Sequence, residues 1–247
     1  MKWIEHVKSI RYEKIQTKIM QQKNIIGYSM RYDIKEHPSI RGLQIIEGKN
    51  NFPISWLNQQ GYCEYQIYLE YMKGIKTPST PEMTHGSEVH KQLEDEFKKD
   101  SEESTFDDAL ETSKKEAIIS RECFVMAPEY GIRGFIDEIW MMPDEIVIID
   151  DKPGKTPYRS TMNQVRAYCL AFKEMTGDER KIKGALRQRG TDNIFWSETF
   201  TPDVKNEIEF TINRMHGLFE GSKPFIPTKN PRKCNSCRFK NDCEHAK

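Results

Sequence analysis

One stretch constrains this chain more than any other: residues 131–155, GIRGFIDEIWMMPDEIVIIDDKPGK. Ile132–Trp140 alternates as a strand does, with Phe135, Asp137 and Ile139 on one face and Ile136, Glu138 and Trp140 on the other. Ile146–Ile149 is an unbroken apolar run, the pattern of a strand covered on both faces. Between them Met142-Pro143-Asp144-Glu145 carries proline where a type I turn wants a preset φ. A hairpin closed symmetrically on that turn sets Asp137 opposite Asp150, with Cβ atoms roughly 4.5–5.5 Å apart. Side chains alternate, so Lys152 shares the face of Asp150 and Asp151 points away. Two carboxylates that close both stay ionised only with a cation between them. A hard divalent ion with oxygen ligands is the natural occupant. The plainer alternative is a pair of strand-end acids in surface salt bridges.

Composition narrows the setting. Lys plus Arg equals Asp plus Glu at 38 each in 247 residues. The overall charge therefore gives no general attraction to a polyanion, although a local basic groove remains open. No apolar run reaches the roughly 20 residues that span a bilayer, and the N-terminus lacks the apolar core of a secretory signal. A cytoplasmic protein with no membrane contact is expected. Six cysteines in such a setting suggest metal ligation or buried thiols before disulfides.

Along the chain, residues 2–22 read as a helix with Trp3, Val7 and Ile10 on one stripe. Residues 24–54 read as short strands and loops, and Ser55 as the cap of a helix starting at Trp56. A second helical stretch, 62–72, begins beside Cys63. GSEVHKQLEDEFKK is helical, with His90 and Glu94 on one face. Thr105 caps a short helix, residues 121–126 form a strand, and Cys123 and Cys169 read as core thiols. After the hairpin, Lys155, Arg159 and Arg166 make the loop and the next helix locally basic, a phosphate-contacting edge or an ordinary solvated face. Gln164 and Tyr168 share a face of that helix. Residues 181–187 and 194–200 pair as strands before a long amphipathic helix over 202–220.

In the tail, Cys234 and Cys237 form a CxxC, with Cys243 five residues on. Three cysteines at that spacing are a strong metal-ligand signal. The fourth ligand is either His245, giving a zinc site, or Cys63, giving four thiolates suited to zinc or an iron–sulfur cluster.

The order of these motifs resembles the RecB-type nucleases of the PD-(D/E)xK superfamily. The series runs Cys63, Gly86-Ser87-Glu88-Val89-His90, Gly134-Phe135-Ile136-Asp137, Asp150-Asp151-Lys152, Gln164-x-x-x-Tyr168, then Cys234, Cys237 and Cys243. It is most similar to the iron–sulfur subgroup that includes the CRISPR-associated exonuclease Cas-four and the AddB nuclease domain. The resemblance covers roughly residues 55–247, leaving 1–54 as an N-terminal extension packed on the core. It implies an α/β fold: a restriction-endonuclease-like mixed β-sheet flanked by helices, with a Cys-ligated iron–sulfur clasp over about residues 225–247. It implies divalent-metal ligands at His90, Asp137, Asp150 and the Asp151 carbonyl, with Lys152 as the catalytic lysine. Gln164 and Tyr168 would lie at a DNA-binding edge. Cys63, Cys234, Cys237 and Cys243 would hold a 4Fe-4S cluster. The implied activity is Mg²⁺- or Mn²⁺-dependent exonucleolytic hydrolysis of DNA, single-stranded or frayed. The implied setting is CRISPR spacer acquisition beside integrase proteins. Two rivals stand against it: a repair or recombination exonuclease, and a DNA-binding module with a zinc or cluster tail and no hydrolysis.

Overall fold

The computed structural model describes residues 8–12, 32–79 and 81–247. Ten strands among them join one mixed sheet: β1 Lys8–Tyr12, β2 Ile34–Glu36, β3 Gln44–Ile46, β4 Lys49–Pro53, β5 Glu102–Ser104, β6 Ile118–Ala127, β7 Ile132–Met141, β8 Glu145–Lys152, β9 Lys181–Gln188 and β10 Ile194–Thr199. The helices are α1 Trp56–Tyr62, α2 Glu64–Ile67 running into a π-turn at Tyr68–Met72, α3 Pro81–Asp100, α4 Phe106–Thr112, α5 Arg159–Thr176, α6 Pro202–Phe219 and α7 Pro231–Asn235. A mixed sheet flanked by helices is the architecture expected.

The hairpin sits at the centre. Met142 N–H donates to the Glu145 carbonyl at 2.8 Å, closing the turn on the predicted residues. The β7–β8 ladder then runs Met141↔Ile146, Trp140↔Val147, Ile139↔Ile148 and Glu138↔Ile149, the register the sequence implied. There it stops. Asp137 and Asp150 fall one step past the last bonded pair. Beyond that point β7 continues alone toward β4, which it meets in parallel at Ile132 and Arg133. On its other edge β7 pairs with β6 on both sides of Asp137, the Glu122–Asp137 step alone being skipped. The sheet therefore forks beside Asp137.

Strict alternation fails at this fork. Ile136 and Ile139, set on opposite faces by the sequence pattern, are both fully buried in the main core cluster. The exchange of faces coincides with Glu122 on the neighbouring strand, whose φ is +54°.

α5 covers this core, and burial explains its composition. Val165, Cys169, Leu170 and Phe172 point inward, and Gly184 on β9 lets the helix approach, since a Cβ there would lie 2.5 Å from Val165 Cγ1. Cys123 and Cys169 are core thiols, both buried, and burial pushes the Cys123 thiol up to about 12.

The expected helix over 2–22 is corrected where the structure describes it. Lys8–Tyr12 is a strand, parallel to both β5 and β6. Its Ile10 is buried. A free strand edge and core contact outweigh a weak helical stripe. The remainder of 2–22 lies outside the described residues. Ser55 precedes α1 as expected but makes no side-chain capping bond, whereas Thr105 does cap α4 by accepting from Asp108 N–H at 3.1 Å.

Candidate active site

The fork collects chemistry from four elements. β7 supplies Asp137, β8 supplies Asp150 and Lys152, α3 supplies His90, and β6 supplies Glu122. His90 Nε2 lies 3.3 Å from Asp137 Oδ1 and 3.1 Å from Glu122 Oε1. The Asp151 backbone N–H donates to Asp137 Oδ2 at 2.8 Å, tying the end of β8 to β7 after their ladder has ended. Lys152 Nζ reaches Asp150 Oδ2 at 2.7 Å and donates to Gln164 Oε1 at 3.1 Å. Gln164 Nε2 in turn donates to Asp150 Oδ1 at 3.3 Å and faces the Tyr168 hydroxyl at 3.5 Å.

The electrostatics separate the two aspartates. Burial works against ionising Asp137, but hydrogen bonds from His90 and the Asp151 N–H hold its carboxyl below the usual range. Burial pushes Asp150 up to about 6, with Lys152 opposing and Asp137 adding to the rise. His90 is raised to about 10 by its bonds to Asp137 and Glu122. Among the described residues, the ligand atoms of His90, Glu122 and Asp137 all lie within 4.8 Å of one another, a donor set fit for a divalent ion. Glu122 is the site residue that the sequence reading missed. The signal for it was faint: a glutamate inside a strand of otherwise mixed polarity, one of 38 acids.

Other residues fall in unexpected places. Asp151 points its side chain away from the fork, as alternation required. It enters a buried network in which Arg187 Nε donates to Asp151 Oδ1 at 2.8 Å and Arg187 Nη1 to Glu138 Oε1 at 2.6 Å, while Arg121 bonds Glu138. Gln164 and Tyr168 are not at an open edge; both are buried behind Asp150 and Lys152. Gly134 makes that placement fit, because a Cβ there would lie 2.8 Å from Tyr168 Cε1. Of the proposed basic patch, Lys155 and Arg159 are exposed. Arg166 is engaged elsewhere, donating through Nε and Nη2 to both oxygens of Glu198 at 2.7 and 2.9 Å and through Nη1 to Glu207 at 2.9 Å.

The four tail-and-helix cysteines come together. Cys63, Cys234, Cys237 and Cys243 line one cavity with Tyr65, Gln66 and His245. Thr228 N–H donates to Cys63 Sγ at 3.3 Å and Gln66 Nε2 to Cys237 Sγ at 3.1 Å. Around them the tail is cross-braced to α1 and α2. Tyr62 donates to the Lys233 carbonyl at 2.7 Å and Lys233 Nζ donates back to the Tyr62 carbonyl at 2.9 Å, while Arg214 of α6 forks onto Glu64 of α2 at 2.7 Å.

Comparison with known proteins bears on the fork directly. Residues 99–244 match the family model of the PD-(D/E)XK nuclease superfamily. Residues 46–126 match the model of exonuclease V, described as a 5′ deoxyribonuclease. Among curated proteins nothing matches. A solved structure described as a candidate exonuclease, from Eubacterium rectale, is 15% identical over 80% of this chain and 89% of its own, at a TM-score of 0.47. Another, SSO0001, is 15% identical over 79% of this chain and 87% of its own, at a TM-score of 0.43. Asp137, Asp150 and Lys152 fall inside the first family match, His90 inside the second, and Glu122 inside both. On that footing the chain belongs to the PD-(D/E)XK nuclease superfamily and is an exonuclease of that type.

Proposed function

We propose that the chain removes nucleotides from single-stranded or frayed DNA ends, with Mg²⁺ or Mn²⁺ at the fork between β7 and β8. The observation that carries this is the meeting of His90, Glu122 and Asp137 within bonding reach of one ion, beside Asp150 and Lys152. A bound divalent ion supplies Lewis acidity toward a phosphate oxygen and lowers the pKa of a bound water. The chain's own residues do the rest. Lys152, held beside Asp150 and Gln164, would orient the attacking water and offset the charge growing on phosphorus. Gln164 holds that lysine, and the Tyr168 hydroxyl backs Gln164. Exposed Lys155 and Arg159 meet the phosphates of the approaching strand.

The tail is assigned a 4Fe-4S cluster on Cys63, Cys234, Cys237 and Cys243. Four thiols around one cavity, two of them accepting N–H donors, support it. Four thiolates are the usual ligation of such a cluster, and the order of the motifs along the chain favours it over zinc.

The motif order supports prespacer processing beside CRISPR integrase proteins. The exonuclease V match over residues 46–126 favours a second reading, trimming of 5′ ends in DNA repair. End-labelled single strands incubated with Mg²⁺, Mn²⁺ or chelator test the activity and its polarity together. Loss of label stepwise from an end, stopped by chelator and absent in Asp150→Ala, is expected. A well-folded Asp150→Ala protein that still degrades DNA would contradict the assignment.

A further inference from the structure

We propose that Glu122 is a ligand of the divalent ion and takes the place that family resemblance gives to the Asp151 carbonyl. This rests on the nuclease reading of the fork and deepens it. Two independent sets of contacts lead there.

The first concerns Glu122. Its Oε1 lies 3.1 Å from His90 Nε2, on the same nitrogen that faces Asp137. The β6–β7 ladder is regular on both sides of it, Arg121 opposite Glu138 and Cys123 opposite Ile136. Yet Glu122 itself holds φ at +54°, a left-handed conformation that a residue with a Cβ resists in mid-strand. The twist turns its carboxylate into the fork, to His90.

The second concerns the carbonyl. Arg189 follows β9 and lies against it: Nη2 donates to the Asp151 oxygen at 3.1 Å, and the Arg189 backbone N–H donates to the Lys152 carbonyl at 2.9 Å. The guanidinium is wedged beneath α3. A Cβ on Gly86 would lie 2.7 Å from Arg189 Nη1, so the glycine four residues before His90 leaves room for this arginine. An oxygen already bonded to a permanent cation is a poor ligand, because a metal there would sit beside a like charge. The Glu122 carboxylate from β6 instead already faces His90 Nε2, the nitrogen that also meets Asp137. The resulting set, one imidazole and carboxylates, suits Mg²⁺ and Mn²⁺.

The test reads metal binding rather than turnover. Mn²⁺ is titrated calorimetrically into the wild-type chain, Glu122→Gln and Glu122→Gly. Glycine adopts φ of +54° without strain, so Glu122→Gly should melt no lower than wild type while losing the carboxylate. Both variants should bind Mn²⁺ more than about 100-fold more weakly, beyond the 10–100-fold that loss of an outer partner costs. Mn²⁺ affinity within tenfold of wild type in either variant overturns the proposal. Should the variants fail to fold, a crystal of the wild-type chain with Mn²⁺ decides. An ion bonded to Glu122, with Arg189 still on the Asp151 oxygen, supports it. An ion on that oxygen, with Glu122 outside its shell, overturns it. A wild-type chain that binds no Mn²⁺ at all would instead count against the nuclease reading itself.

Discussion

Gln164 shows how a single side chain can divide two readings of this site. Its amide bridges Lys152 and Asp150, and its residue is buried, out of reach of a DNA backbone. A DNA-contacting glutamine would affect KM. One that fixes a lysine in the transition-state geometry affects kcat. Gln164→Leu should therefore lower kcat by about 10–100-fold, the range for loss of an orienting partner, with KM for a single-stranded oligonucleotide nearly unchanged. Steady-state kinetics separates the two, and a raised KM at constant kcat would return Gln164 to the DNA edge.

Whole elements are held in register by charge as well as by apolar contact. Arg121 on β6, Glu138 on β7, Asp151 on β8 and Arg187 on β9 form a buried network across four strands, each arginine paired with both carboxylates. Removing one member leaves an unpaired buried charge, which costs about 3–5 kcal/mol. Arg187→Met should lower stability by that amount, read from urea unfolding. At the other face of the sheet, α6 docks through His216, whose Nε2–H donates to the Tyr130 carbonyl at 2.8 Å and whose ring meets Phe52 edge-on at 5.2 Å. Burial lowers its pKa below the ordinary 6.5; the Tyr130 carbonyl and Glu220 oppose this and Lys49 adds to it. The unfolded chain thus takes up a proton at a higher pH than the folded one. The stabilisation from neutral His216 is complete above about 6.5 and is lost as pH falls below that value. The urea midpoint of wild type should drop between pH 7 and 5.5 by more than that of His216→Leu.

Across the molecule, the first helices and the tail are one unit. Cys63 is 171 residues from Cys234 in sequence and lines the same cavity. A ligand shared over that distance closes a loop around most of the chain, and metal-coupled folding can contribute about 10–16 kcal/mol in small zinc peptides. Cys63→Ala should bleach the brown colour of anaerobically purified protein and lower its melting temperature. His245→Ala should do neither, since that side chain is half exposed and rests on the Tyr65 ring at 4.4 Å. Elemental analysis finding zinc without iron, with a full metal complement in Cys63→Ala, would mark the tail as a separate zinc knuckle.

The sequence by itself determined the central hairpin, its turn, its register and the outward aim of Asp151. All of these follow from local periodicity and one proline, and the observed pairs match. It also determined the covering helix α5 and the spacing of the tail cysteines. Tertiary structure alone decided the rest. β1 is a strand because β5 and β6 offer it free edges, a fact no local window contains. Arg166 is drawn to Glu198 and Glu207, 32 and 41 residues away, and Gln164 turns inward because Gly134 lets Tyr168 settle behind it. Glu122 joins His90 only where β7 parts from β8 and the backbone of β6 turns left-handed. Periodicity can say which face a residue prefers. Where a sheet forks, the face itself changes, and only the packed chain fixes which side chains then meet.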